Sequence, residues 1–163
     1  MTSSPTIYFV PHTHYDAIWV FNKNDHYYIN IELILKHAID LIKKINYKFL
    51  IEQTFLLEEV ENNYPELFSD IQRLAKEWKI EIGGGQYLLS DVMLPHGEVL
   101  IMEIDEGKKY VKEKLQQDVV VAWGPNEIGF NAQWPQILRG CGYKHFAFRR
   151  GISPNHLNFC GRD

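Results

Sequence analysis

The residues best suited to chemistry in this 163-residue chain cluster where a short apolar run, Thr6 to Val10, gives way to Pro11-His12-Thr13-His14-Tyr15-Asp16. In an extended backbone the side chains of positions 12, 14 and 16 share one face, and residues two apart stand about 7 Å from each other. An imidazole and a carboxylate at that spacing can hold one cation between their tips, and His with Asp is a common donor pair for catalytic zinc. Zinc takes about four donors, so a sequence-distant carboxylate or imidazole has to complete the set, with His12 either a third ligand or a group behind the ligands. The same residue types also build ordinary polar turns at strand ends, and spacing alone leaves both uses open.

Other candidates are weaker when taken singly. Trp19 follows His14 by five positions, where its ring could wall a pocket and stack on the apolar face of a sugar, or simply pack in a core. Asp25 and His26 precede the first helical pattern and read as a cap or first-turn charge. Gly83-Gly84-Gly85 could admit a phosphate to the backbone, but it fits neither GxGxxG nor a P-loop, which argues against nucleotide binding. Trp123-Gly124-Pro125-Asn126-Glu127-Ile128-Gly129 follows a strongly β-prone run, so its polar residues fall where α/β folds bind ligands; Pro125 and Asn126 also suit a plain turn.

The elements that must position these residues alternate. Thr6 to Val10 is apolar and β-prone, closed by Pro11, and reads as a first strand. Ile31, Ile34, Leu35, Ala38, Ile39 and Ile42 recur at helical steps within Ile29 to Ile45. A strand is expected over Tyr47 to Gln53, then helices over Leu56 to Asn63 and Pro65 to Trp78. Ile80 to Ile82 reads as a third strand and Gly97 to Gln117 as a long helix. Val119 to Trp123 has the continuous β-branched run of a fully buried parallel strand. Ala132 to Cys141 is helical with Gly142 as its stop, and His145 to Phe148 returns as a strand. This order predicts an α/β protein with a parallel sheet, a layer or a barrel, whose ligands sit at the carboxyl ends of the strands.

Composition bounds the function. Hydrophobic residues at 45% and charged residues at 23% predict one globular domain over 1–163 rather than a disordered chain. Seventeen Lys and Arg against twenty-one Asp and Glu give a net charge of −4 without a basic block, so no nucleic-acid partner is expected. Cys141 and Cys160 stand in neither CxxC nor CxxH spacing, which suits a reducing compartment. With no leader pattern at the N-terminus and no apolar run of membrane-spanning length, a cytoplasmic location and no membrane partner are expected.

Three segments, taken in order, resemble the N-terminal catalytic domain of glycoside hydrolase family 38, the retaining α-mannosidases. The first is Val10-Pro11-His12-Thr13-His14-Tyr15-Asp16 with Trp19. The second is Glu81-Ile82-Gly83-Gly84-Gly85-Gln86-Tyr87 with Asp91, Leu94-Pro95 and Gly97-Glu98. The third is Trp123-Gly124-Pro125-Asn126-Glu127-Ile128-Gly129-Phe130-Asn131, continuing through Pro135-Gln136-Ile137-Leu138 and Gly142-Tyr143 to Phe148-Arg149-Arg150.

The resemblance implies a parallel-sheet α/β fold, part of a seven-stranded β/α barrel of the glycoside hydrolase/deacetylase type. It implies a zinc (Zn2+) cofactor and an α-mannoside or oligosaccharide substrate. His14 and Asp16 match two of the metal ligands, and Trp19 matches the aromatic that stacks on the mannose ring. Asn126 falls where the family has an Asp that is both metal ligand and nucleophile, and Arg150 matches an arginine near that carboxylate. An amide oxygen can touch a cation but is a poor nucleophile, so reduced activity is expected; a shift that brought Glu127 in would have to overcome the alternation of neighbouring side chains. Family members are several times longer, and the remaining metal ligand and the acid/base carboxylate lie beyond the matched region. The chain therefore reads as the N-terminal piece of a larger α-mannosidase, completed by a second polypeptide or by self-association, or else as an impaired metal- or carbohydrate-binding subunit.

Overall fold

The computed structural model describes residues 6–16 and 23–149, with side chains for all of these except 23–30. Trp19, Arg150 and Cys160 lie outside the described residues. The described elements are α1 (Lys23–Lys44), β1 (Phe49–Ile51), α2 (Thr54–Asn63), α3 (Pro65–Lys76), β2 (Ile80–Ile82), α4 (Gly97–Leu115), β3 (Val121–Gly124), α5 (Trp134–Gly140) and β4 (His145–Phe148). The α/β alternation expected from the sequence is present.

Helix α1 buries Ile31, Leu35, Ala38, Ile39 and Ile42, one stripe at three- and four-residue steps, and meets α3. Ile34 falls at the margin of that stripe and is exposed. Asp25 and His26 do not precede the helix as a cap; α1 begins at Lys23 and contains both. Packing along the C-terminal half of a long helix carries its first turns with it, whatever their propensity. Pro65 opens α3, where a missing N–H costs no hydrogen bond, and Leu67, Phe68, Ile71, Leu74 and Ala75 face inward. Helix α4 buries Leu100, Ile104, Val111 and Leu115, and ends at Gln116 in the left-handed region, φ 59°.

The strands form two parallel pairs. β1 pairs β2 with Phe49 opposite Ile80 and Ile51 opposite Ile82, and β3 pairs β4 with Val121 opposite His145 and Gly124 opposite Phe148. Backbone bonds link them at one point, where Gly84 N–H donates to the Val121 carbonyl at 3.2 Å. Gly84 and Gly85 have φ of 74° and 63°, a left-handed turn after β2 that favours glycine at both positions.

Two strand expectations change. Thr6 to Val10 is not a strand: among the described residues, the chain from 6 to 16 pairs through one parallel bridge, between His12 and Leu50, with Leu50 N–H donating to the Pro11 carbonyl and Thr13 N–H to the Leu50 carbonyl, both at 3.0 Å. β-propensity makes a strand only where a neighbour supplies the ladder, and Ile7, Tyr8 and Phe9 are 84–92% exposed. The β3 strand starts at Val121, two residues later than expected, and its burial alternates instead of being complete. Val119 is buried under Gly85, and the Val120 carbonyl already accepts from Lys144 and His145 as β4 begins.

Candidate active site

The carboxyl ends of β1 and β3 and the stretch from His12 to Asp16 meet around a buried carboxylate, Glu52. It follows β1 directly, and its side chain is fully buried. His14 donates through Nδ1 to Glu52 Oε1 at 2.9 Å, and His12 through Nδ1 to Oε2 at 3.0 Å. Trp123, in β3, donates through Nε1 to the same Oε2 at 3.2 Å, its ring edge-on to that of His12. The Glu52 N–H in turn donates to Thr13 Oγ1 at 3.1 Å. Three N–H donors satisfy a carboxylate that would otherwise be costly to bury.

With Nδ1 engaged, His14 turns its other nitrogen outward. Asn126 Nδ2 donates to His14 Nε2 at 2.8 Å, and Asp16 Oδ2 lies 3.6 Å from the same nitrogen. Three of the residues singled out in the sequence, His14, Asp16 and Asn126, are thus neighbours, although 110 residues separate the last from Asp16. They line a cleft of about 420 Å³ together with Gln53, Ser90, Asp91 and Glu127, a size suited to a small ligand. Gln53 fixes two of its walls, donating to the Tyr15 carbonyl at 2.6 Å and accepting from Leu89 N–H at 3.4 Å.

Glu127 is buried, and its Oε2 accepts the Asn126 N–H at 3.2 Å. It fits because residue 124 is glycine: a Cβ there would stand 2.8 Å from the same carboxylate oxygen. Burial pushes its carboxyl up to about 7, against the pull of the backbone N–H groups of Glu127 and Asn126; Glu52 adds to the rise and His14 opposes it. Its carboxylate is folded back on Gly124 and its own loop rather than substituting for residue 126.

The donors fit a divalent cation in type. His14 Nε2, which faces Asn126 and Asp16, is the nitrogen a cation would take, Asp16 supplies a carboxylate, and the second nitrogen of His14 is held by a carboxylate, the arrangement that orients metal-binding histidines. Among the described residues no three His, Cys, Asp or Glu side chains gather as a complete ligand set, so further donors are required. Glu52 was not singled out from the sequence; an acidic residue closing a buried apolar strand, Phe49-Leu50-Ile51-Glu52, was the available signal. No helix among the described residues is long and apolar enough to cross a membrane.

Residues 4–156 match the family model described as the glycosyl hydrolases family 38 N-terminal domain. Among curated relatives, the chain is 28% identical to alpha-mannosidase 2C1 of Homo sapiens, over 96% of this chain and 15% of that protein. It is 26% identical to a putative mannosylglycerate hydrolase of Halalkalibacterium halodurans, over 94% of this chain and 17% of that protein. Among solved structures it superposes on an alpha-mannosidase from Enterococcus faecalis V583 with a TM-score of 0.79 and 26% identity, over 89% of this chain and 16% of that one. The chain thus spans about one sixth of the length of the relatives it matches.

Proposed function

Because the chain belongs to glycosyl hydrolase family 38, as the match over residues 4–156 shows, we propose that it is a single structural unit, 1–163, contributing to a zinc-dependent α-mannosidase catalytic domain. In this reading the two parallel pairs are part of a seven-stranded β/α barrel completed by further chain or by a partner polypeptide. The observation that supports it best is the convergence of His14, Asp16 and Asn126 on one cleft. His14 Nε2, Asp16 and the amide oxygen of Asn126 would hold the metal, Trp19 would stack on the sugar ring, and Arg150 would stand near residue 126.

Retaining hydrolysis needs a carboxylate nucleophile and a second carboxyl group, about 5 to 5.5 Å apart, that acts first as acid and then as base. When bound, zinc would orient the sugar hydroxyls and polarise the oxygens it touches. The chain's own part is to bind the α-mannoside in the cleft and exclude water from one ring face. Asn126 brings an amide to the nucleophile position, and a neutral amide oxygen is a poor nucleophile for forming a glycosyl-enzyme intermediate. That amide favours a second reading: a catalytically impaired metal- or carbohydrate-binding subunit that works with a partner chain.

Hydrolysis of an aryl α-mannoside, measured with and without zinc for the chain and for Asn126→Asp, separates the two. Turnover that rises in the Asp variant is expected for the enzyme. Saturable mannose binding without turnover in either supports the subunit, and neither binding nor turnover removes both.

A further inference from the structure

We propose that Glu52 is the positioning residue of this cleft: its buried carboxylate holds the His14 ring in one orientation and one tautomer, with the hydrogen on Nδ1 and the lone pair of Nε2 facing the ligand. The role extends the reading of His14 as a metal donor and rests on it only where metal affinity is concerned.

The contact with Glu52 sets the tautomer, and the contact with Asn126 agrees with it. A carboxylate only accepts hydrogen bonds, so the nitrogen 2.9 Å from Glu52 Oε1 must carry the hydrogen. On the other side of the ring, the Asn126 amide N–H stands 2.8 Å from Nε2 and needs an acceptor there. Neutral imidazole provides one donor and one acceptor, which matches Glu52 on one side and the Asn126 N–H on the other, while Asp16 Oδ2, 3.6 Å from Nε2, lies beyond hydrogen-bond distance.

Glu52 is itself held from three directions. His12 Nδ1, which also lies beside the Thr13 carbonyl, and Trp123 Nε1 share Oε2, while the Glu52 main chain is tied to Thr13 Oγ1. The carboxylate cannot swing without breaking bonds to two other side chains in a fully buried place, so it transmits the register of β1 and β3 to His14. This explains why His12 is turned to Glu52 rather than to the cleft: it does not line the cleft that His14 and Asp16 share.

The experiment uses the chain labelled with ¹⁵N at histidine and freed of metal, at about pH 9, where a free imidazole is neutral. Two-bond nitrogen–proton correlations report the protonated nitrogen of each ring, and the His14 signals are those lost in His14→Gln. The expected spectrum has hydrogen on Nδ1 of His14 in the wild type and a shift toward Nε2 in Glu52→Gln, whose amide can accept from only one of the two histidines. Calorimetric titration with zinc alone is expected to show affinity about 10- to 100-fold weaker in Glu52→Gln. Hydrogen on Nε2 in the wild type, or unchanged tautomer and zinc affinity in Glu52→Gln, overturns the proposal. Zinc failing to bind the wild type, with the expected tautomer present, overturns the metal reading and upholds the positioning role. Glu52→Gln nearly preserves volume, so it remains informative even where Glu52→Ala fails to fold.

Discussion

Asn126 and Glu127 are adjacent in sequence and opposite in role. Asn126 reaches across to His14, whereas Glu127 folds back to accept the Asn126 N–H. In the proposed reading, replacing Asn126 by Asp puts an anionic oxygen at the nucleophile position. Aryl α-mannoside turnover with zinc is expected to rise by on the order of 10³-fold or more in that variant, as initial-rate assays would show. Glu127 makes a stability prediction. Its carboxyl titrates at about 7 when folded, above the ordinary 4.5, so the native state holds this proton more tightly than the unfolded chain. The associated stability is fully present below about pH 4.5 and is lost as pH rises through about 7, to a total of about 3 kcal/mol. Urea unfolding of wild type and Glu127→Gln from pH 4.5 to 8 should show a decline with pH that is smaller in the variant by about that amount. Equal pH dependence in the two proteins would refute the assignment.

Helix α4 controls the far wall of the cleft through one missing side chain. Gly107 sits in the middle of α4 against the turn that follows β2, where a Cβ would approach the Gly85 carbonyl oxygen to 2.2 Å and the Tyr87 nitrogen to 2.6 Å. The same stretch continues to Leu88 and Leu89 in the cleft, and it is fastened to α4 where Glu103 accepts the Leu88 N–H at 3.0 Å. Gly to Ala in an exposed helix interior stabilises by about 1 kcal/mol. Here the sign reverses, because backbone lies where the methyl would go, and Gly107→Ala is expected to lose about 1 to 3 kcal/mol. A denaturant melt that shows Gly107→Ala as stable as wild type or more so would contradict this packing. The helix pattern of α4 was legible in its spacing, but the reason for glycine at 107 was not, since the atoms it must avoid belong to another segment.

At the scale of the molecule, Ile7, Tyr8 and Phe9 leave a run of apolar side chains in solvent beside a segment that, among the described residues, pairs at His12 alone. Exposed apolar residues with unpaired backbone are a template for association. The 163-residue chain by itself is expected to associate in a concentration-dependent way in sedimentation velocity runs, and Ile7→Ser with Phe9→Ser is expected to weaken that association. Identical sedimentation of the double variant and the wild type would assign the contact to another surface.

The amino-acid sequence alone was enough for the helix faces and for the order of helices and strands from α1 onward, because periodicity is a local consequence of backbone geometry. It also determined the candidate pair His14 and Asp16, which are near in space because they are near in the chain. Tertiary packing set the rest: Asn126 meets His14, Glu52 is the carboxylate behind both histidines, and Glu127, in the cleft wall, folds back on its own loop. Each of those depends on segments separated by at least 38 residues in the chain or on the absence of a Cβ at Gly124. It likewise decided that residues 6 to 10 are not a strand: a ladder is a property of two segments, and no partner is fixed by the propensity of one.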